Sequence, residues 1–304
     1  MSAGGRELDL SAGSYRAVVT EVGGGLRVLE YDGRPLLRPY PAGQIRPRYS
    51  GNVLAPWPNR IADGSYEFDG ETHQLPLTEP ERANALHGLV TWDRFELVDS
   101  TSTSATAVDR LVPRTGYPFE VELSVTYELS AESGLRVAVR ARNTGTRSAP
   151  WGTAAHPYLQ AGTTHVDGCA LVVPAAKVLE VTPDRLLPVG LVAVDDTGLD
   201  FRGGRTIGDT YVDHAYTDLL ADGDGLVRVR LTAPSGDGVE VAWDPALLPW
   251  VQVHTSDTPE PETNRTGLAV EPMTCGPDAF NSGRDLVVLP PGGEHVVGWT
   301  ISAL

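Results

Sequence analysis

The sequence predicts an all-β fold of stacked antiparallel sheets, and three observations support this prediction. Glycine (33 residues) and proline (24 residues) are abundant without a fixed period, and 41% of the 304 residues are hydrophobic, enough for a substantial core. Short apolar–polar alternations recur along the whole chain between turn residues. No stretch shows the apolar repeat of a helix for longer than about two turns. We therefore expect a single β domain spanning residues 1–304.

Three pairs of strands can be placed in chain order. The segment SYEFDGETHQLPL alternates apolar and polar residues on both sides of Asp69-Gly70, which is a strong hairpin signature. Residues 119–129 and 135–143 alternate in the same way across a short polar link. Residues 226–233 and 239–243 flank a Gly-Asp-Gly turn. Polar residues on one face of each strand are typical of antiparallel sheets with one solvated side.

The net charge of −16 bears on the partners and the compartment of the protein. A broad acidic surface repels nucleic acid and anionic membranes, so neither is an expected partner. The N-terminus shows no signal-peptide pattern and no run of about 18 apolar residues occurs, so we expect a cytoplasmic protein, monomeric or homodimeric. Cys169 and Cys275 are far apart in sequence, and two buried thiols are favoured over a disulfide.

Two ionisable residues that directly precede a proline stand out because each follows a short apolar segment, His156 in AAHPYL and Glu271 in AVEPMT. A residue before proline is held extended, and proline favours strand ends and edges, so we expect each side chain at a strand end. A buried carboxylate is costly unless it is paired or functional, and burial raises its pKa towards the range of a general base. The residues alone leave two interpretations open, an acid–base pair in one cleft or two unrelated strand ends.

Arg60 in APWPNRIADG and His87 in ALHG are further candidates. The simpler interpretations are a loop arginine that is solvated or paired with a surface carboxylate, and a satisfied core histidine. Metal-ligand spacings, a nucleophile elbow and a phosphate-binding loop are all missing from the sequence. Asp213, His214 and His254 could join a scattered site, but nothing in the sequence indicates one. We therefore expect neither a metal nor a bound nucleotide.

Six segments taken together resemble the aldose 1-epimerase (galactose mutarotase) family. They occur in the family's order over roughly residues 50–285, and they read APWPNRIADGSYEFDG, ALHG, AAHPYL, YVDHAY, WVQVHT and VEPMTCGPDAFNSG. The set is specific, although none of the segments is sufficient alone. The resemblance implies a galactose mutarotase-like β-supersandwich, which agrees with the strand pattern.

The resemblance also implies an activity. Members of the family interconvert the α and β anomers of free aldoses without a required cofactor, so a small sugar is the implied partner. Glu271 would be the general base at the C1 hydroxyl, and His156 would be the general acid at the ring oxygen, on the opposite side of the hemiacetal. The family's substrate-binding positions correspond to Arg60, His87, Asp213 and Gln252. Trp57 and Trp250 lie beside two of these positions, where they would either stack on a sugar or pack in the core.

Two segments, APWPNRIADG and EPMTCGPDAFNSG, resemble the sequences of a bacterial subgroup associated with less common sugars, including sulfonated hexoses, more closely than those of the galactose-type enzymes. Leu89 and Pro58 stand where many family members have glycine and alanine. An anionic hexose, either a sulfosugar or a hexose 6-phosphate, is therefore the alternative to a neutral hexose. Its acidic group would need basic partners, and the candidates near the motif segments are Arg46, Arg48, Arg82 and Arg284. A non-catalytic carbohydrate-binding protein is the remaining alternative, because a fold does not fix a function.

Overall fold

Antiparallel strands dominate the computed structural model, which describes residues 2–304. The first thirteen strands in chain order are β1 Glu7–Ala12, β2 Tyr15–Thr20, β3 Leu26–Tyr31, β4 Arg34–Pro35, β5 Val53–Leu54, β6 Arg60–Ala62, β7 Ser65–Phe68, β8 Glu71–Gln74, β9 Asn84–Leu86, β10 Glu96–Ser100, β11 Ser104–Leu111, β12 Val121–Ser130 and β13 Gly134–Asn143. The remaining strands are β14 Ala149–Trp151, β15 Ala154–Ala155, β16 Tyr158–Leu159, β17 Ala170–Val172, β18 Ala175–Val181, β19 Pro188–Ala193, β20 Arg205–Thr206, β21 Asp213–Leu219, β22 Val227–Thr232, β23 Gly238–Trp243, β24 Trp250–His254, β25 Leu268–Met273, β26 Val287–Leu289 and β27 Glu294–Ala303.

Helical structure is limited to short turns in the described part of the chain. There is one four-residue helix, α1, at Ala279–Ser282, and three 3₁₀ turns lie at Pro47–Tyr49, Pro80–Arg82 and Val194–Asp196. The all-β prediction is therefore confirmed. None of the helices in residues 2–304 is both long and apolar enough to cross a membrane.

Two large sheets form the framework. The nine-stranded sheet has the order β10-β11-β12-β13-β27-β23-β22-β17-β20, and the eight-stranded sheet follows β19-β18-β21-β24-β25-β15-β5, with β16 beside β25. A four-stranded sheet, β1 to β4, and three two-stranded pairs complete the described sheets. One continuous apolar cluster includes residues of both large sheets, for example Leu123 of β12 and Val270 of β25, so the core lies between stacked layers.

All three predicted strand pairs are present. Strands β7 and β8 form a hairpin whose turn residues Asp69 and Gly70 have φ of 53° and 75°, the left-handed geometry that a two-residue turn requires. Strands β12 and β13 pair over their full length, and β22 pairs with β23. Along β12, buried and half-exposed residues alternate, because successive side chains point to opposite faces. Cys169 and Cys275 are both buried and free, as the sequence predicts.

The eight-stranded sheet contains a break that matters for the site. Strand β25 pairs with Tyr158 of β16 through Ala269 and with Ala154 of β15 through Met273, but β15 and β16 are separated by His156-Pro157. Pro272 lies inside β25 with its nitrogen on the side of this break. Proline has no N–H to donate, and no strand residue waits there for a donor. The expectation of a strand end therefore holds for His156 but not for Glu271, which is the fourth of six residues in its strand.

Candidate active site

Strand register brings three of the predicted site residues into one row. Gln252 of β24 is the direct partner of Glu271 in β25. The pairs Ala154–Met273 and Tyr158–Ala269 continue the register on the other side of β25, and this places His156 opposite Glu271. The Nε2 atom of His156 is 3.3 Å from Oε1 of Glu271. His156 and Glu271, each followed by a proline in the sequence, are thus neighbours across the sheet.

Burial controls the protonation of the His156–Glu271 pair. The side chains are only 6% and 2% exposed. Burial, with smaller contributions from His254 and Arg38, lowers the pKa of His156 to about 3. Burial, together with the charge of Asp213, raises the pKa of Glu271 well above its ordinary value, although Arg60 opposes the shift. Desolvation disfavours both charged forms, so burial favours a carboxylic acid beside a neutral imidazole over the carboxylate–imidazolium pair.

A chain of amide and carboxylate groups extends the row towards β21. Gln252 donates from Nε2 to Oδ1 of Asp213 at 2.7 Å, and Asn59 donates from Nδ2 to Oε1 of Gln252 at 3.2 Å. Asp213 is the register partner of His254, whose Nδ1 lies 3.9 Å from Oδ1 of that carboxylate. Each group keeps further hydrogen-bonding capacity, as polyhydroxylated ligands require.

Arg60 begins β6 and is bound by a carboxylate that the sequence analysis did not single out. Its Nε and Nη2 atoms donate to Oε2 and Oε1 of Glu79 at 2.8 and 2.9 Å, a bidentate geometry. Arg82 and Asn84 donate to the same carboxylate. Burial would raise the pKa of Glu79, but the hydrogen bonds and charge of Arg60, with smaller contributions from Asn84 and Arg82, together outweigh it and hold that pKa below its ordinary value. The bidentate contact therefore fixes the orientation of the Arg60 guanidinium.

His87 follows β9 in a left-handed conformation, with φ of 60°. Its backbone N–H donates to the carbonyl of Asn59 at 2.9 Å. The next residue, Gly88, also has positive φ, and an added Cβ there would lie 2.0 Å from the carbonyl oxygen of Ala55. The turn directs the His87 ring against that of His156, with centroids 5.2 Å apart. Burial lowers the pKa of His87 well below its ordinary value, so the ring is neutral.

All six predicted site residues line one cleft of about 310 Å³. Polar and aromatic side chains that the sequence analysis did not assign also line it, namely Tyr49, Asn59, Glu79, Tyr158, Tyr211, His254 and Asp257. Trp57 and Trp250 are not among the lining residues, and their side chains are buried, with Nε1 donating to the Ala85 carbonyl and to Asp285. Both tryptophans therefore pack in the interior.

The arrangement is suited to proton transfer at two neighbouring atoms. A base and an acid on opposite sides of a hemiacetal were expected, but the two groups are in direct contact with each other. The hydroxyl and ring oxygens of a hemiacetal share one carbon, so adjacent groups can serve both. Within residues 2–304, no group of three metal-ligating side chains has the geometry to hold an ion.

Comparison with known proteins identifies the family. The family model of aldose 1-epimerase matches residues 6–302. The uncharacterised protein YihR of Escherichia coli K12 is 37% identical over 295 residues, which cover 97% of this chain and 92% of YihR. Human galactose mutarotase is 28% identical over 271 residues, covering 81% and 76% of the two chains.

A solved structure shows the same fold. The GalM/aldose epimerase homologue from C. elegans superposes with a TM-score of 0.85 at 19% identity, over 98% of this chain and 99% of that one. At this level of identity the likeness concerns the fold alone, whereas the family model covers nearly the whole sequence. The chain therefore belongs to the aldose 1-epimerase family and is an isomerase-class carbohydrate epimerase.

Proposed function

We propose that this protein interconverts the α and β anomers of a free hexose, with His156 and Glu271 as its acid–base pair. The main support is their contact, 3.3 Å between Nε2 and Oε1, in a cleft lined mainly by hydrogen-bonding side chains. General acid–base catalysis needs a donor and an acceptor within hydrogen-bond reach of the reacting atoms. Arg60, His87, Asp213 and Gln252 would bind the sugar hydroxyls.

In the ring-opening step, Glu271 takes the proton of the C1 hydroxyl and the C1–O1 bond becomes a carbonyl. The bond between C1 and the ring oxygen breaks, and His156 protonates that oxygen. The open aldehyde rotates about C1–C2, and the reverse proton transfers close the ring on the other face. A neutral His87 beside His156 would hydrogen-bond near the ring oxygen without competing for the proton.

The pair keeps one proton throughout this cycle. Ring opening starts from carboxylate and imidazolium, the form reached when the proton of the pair moves from Glu271 to His156. It ends with carboxylic acid and imidazole, the form that burial favours, and closure reverses the change. These two states differ only by the position of a proton across the contact between the two side chains. Coupled groups of this kind titrate as a unit, so the pH profile of activity should reflect the pair and not either residue.

Anomer exchange measured by NMR tests the proposal. The panel would contain glucose, galactose, a hexose 6-phosphate and a 6-sulfonated hexose, each with and without protein. On whichever sugar is accelerated, His156→Ala and Glu271→Gln should each lower the rate about 10²–10⁴-fold. His295→Ala, a histidine on β27 of the other large sheet, is the matched control. Wild-type rates in both site variants would refute the assignment.

An anionic hexose is the second candidate, because two of the four arginines considered from the sequence line the cleft. Arg48 and Arg82 are lining residues, while Arg46 and Arg284 are not. Arg48 pairs with Glu260 at 2.7 Å, but both side chains are more than 40% exposed, and such pairs are weak in water. Arg48 can therefore exchange its partner for a sulfonate or phosphate at the cleft rim.

Arg48→Ala separates the two candidates. For an anionic substrate, the variant should raise KM for the 6-sulfonated or 6-phosphorylated sugar and leave KM for glucose unchanged. Equal changes of KM for the two sugars, or acceleration of neutral hexoses alone, would support the neutral substrate.

A further inference from the structure

A stack of four side chains runs from the interior to the cleft. The guanidinium carbon of Arg38 lies 3.8 Å from the centre of the Tyr158 ring. Tyr158 stacks on His156 at 4.9 Å between ring centroids with an interplanar angle of 26°. Tyr49 also lies nearly parallel to the His156 ring, at 6.3 Å between centroids and 23° between planes. Arg38 itself does not line the cleft, so it reaches the reacting atoms only through this stack.

Arg38 is a buried cation without an ionic partner. It is only 6% exposed, and no carboxylate among residues 2–304 lies within ion-pair distance of it. Its Nη1 donates to the Ser256 hydroxyl and the Thr263 carbonyl, and its Nη2 donates to the Ser50 hydroxyl. Burying a charge without a counterion is costly, so the positive charge acts on its surroundings with little local compensation.

The hydrogen bonds of Arg38 connect two loops that border the cleft. Ser50 follows the 3₁₀ turn of Tyr49, and Ser256 and Thr263 belong to the loop between β24 and β25. The backbone N–H of Arg38 also donates to the carbonyl of Tyr158 at 2.8 Å. One side chain thus holds both loops and the ring that lies against His156.

We propose, given the proposed function, that Arg38 is a positioning residue for the general acid. Through Tyr158 it fixes the plane of the His156 ring, and its charge acts on the proton that the acid–base pair shares. A nearby cation disfavours the proton-bound form of such a pair, so Arg38 makes the imidazolium a stronger acid. Arg38 touches neither the sugar nor the reacting atoms.

Several other groups face the pair and must be held constant in any test. They come from six elements, and they are His254 on β24, Asp213 on β21, Arg60 on β6, His87 after β9, Tyr158 on β16 and Tyr49 in its 3₁₀ turn. Arg48 is the other cation that faces Arg38. Substitution at Arg38 alone leaves the chemical identity of all of these groups unchanged.

The test measures the pair directly, without substrate. The ¹⁵N signals of the His156 ring and the ¹³Cδ signal of Glu271 report the pH at which the pair loses its proton. Arg38→Met should raise this midpoint by about one pH unit, since it removes a charge one ring away from the imidazole. Arg38→Lys keeps the charge and should leave the midpoint in place. Ser256→Ala removes a loop hydrogen bond and is the structural control, with an unchanged midpoint.

Kinetic measurements then separate the positioning role of Arg38 from the effect of its charge. On whichever panel sugar is accelerated, the alkaline limb of the kcat/KM profile should rise with the midpoint in Arg38→Met. Arg38→Lys should lower kcat more than it changes KM, because the flat contact with Tyr158 is lost. If Arg38→Met does not fold, Arg38→Gln provides the uncharged comparison.

Equal midpoints in folded Arg38→Met or Arg38→Gln and in the wild type would overturn the proposal. A shifted midpoint in a protein that accelerates no sugar would instead leave the role of Arg38 standing and refute the proposed function.

Discussion

The buried ion pair of Arg60 and Glu79 allows a quantitative stability prediction. Their side chains are 11% and 6% exposed, and removing one partner of such a pair costs about 3–5 kcal/mol because the other charge stays buried. The contact of Arg82 with the same carboxylate adds little, since that arginine is 34% exposed. The unfolding entropy of about 2.1 cal/mol/K per residue gives about 0.6 kcal/mol/K for this chain. Glu79→Gln should therefore lower Tm by about 5–8 °C.

Calorimetry with a double-mutant cycle checks this value. Glu79→Gln, Arg60→Met and the double variant are compared, and the double variant should regain much of the loss because no unpaired charge remains. Glu81→Gln is the matched control, as Glu81 is exposed and makes no ion pair within residues 2–304. A Glu79→Gln protein that melts within about 1 °C of the wild type would refute the reasoning.

Two further predictions concern the backbone at the site and the response to acid. Gly88→Ala should prevent the turn that presents His87, because the added Cβ would meet the Ala55 carbonyl at 2.0 Å with φ at +77°; an unchanged Tm and rate would contradict this. The pKa of His156 is lowered to about 3, so this residue contributes stability that is present above about pH 6.5 and is lost as the pH falls. His156→Gln should therefore lose less unfolding free energy than the wild type in urea titrations between about pH 6.5 and 4, and parallel losses would contradict it.

The sequence predicts the strands well because their signal is local. Alternation in β12 and the Asp69-Gly70 turn depend only on neighbouring residues and on the pleat of a strand. An ionisable residue between an apolar segment and a proline is also a local pattern, and it directs attention to His156 and Glu271. Their contact depends on the register of β25 against β15 and β16, a long-range property that no local pattern specifies.

Glu79 and Arg38 were not predicted as site residues, because their roles also depend on long-range contacts. Glu79 lies in TEPERAN, a segment typical of a solvated turn, and its burial follows from packing beneath Arg60 and Asn84. Arg38 lies in a proline-rich loop and becomes informative only through its contact with Tyr158. Trp250 is a case in which the sequence left two alternatives. A tryptophan beside a site position is equally typical of stacking on a sugar and of packing in the core, and its burial in the structure shows that it packs.

The position of β25 in the middle of its sheet has a consequence for biosynthesis. Both of its neighbours, β24 on one side and β15 with β16 on the other, precede it in the chain. While the ribosome has not yet released Leu268–Met273, two strand edges remain open, and open edges invite pairing with other chains. Closure of the sheet must wait until most of the polypeptide has been made, and such non-local pairing is slow. Nascent chains that stall before Leu268 should therefore be the form of this protein most dependent on chaperones.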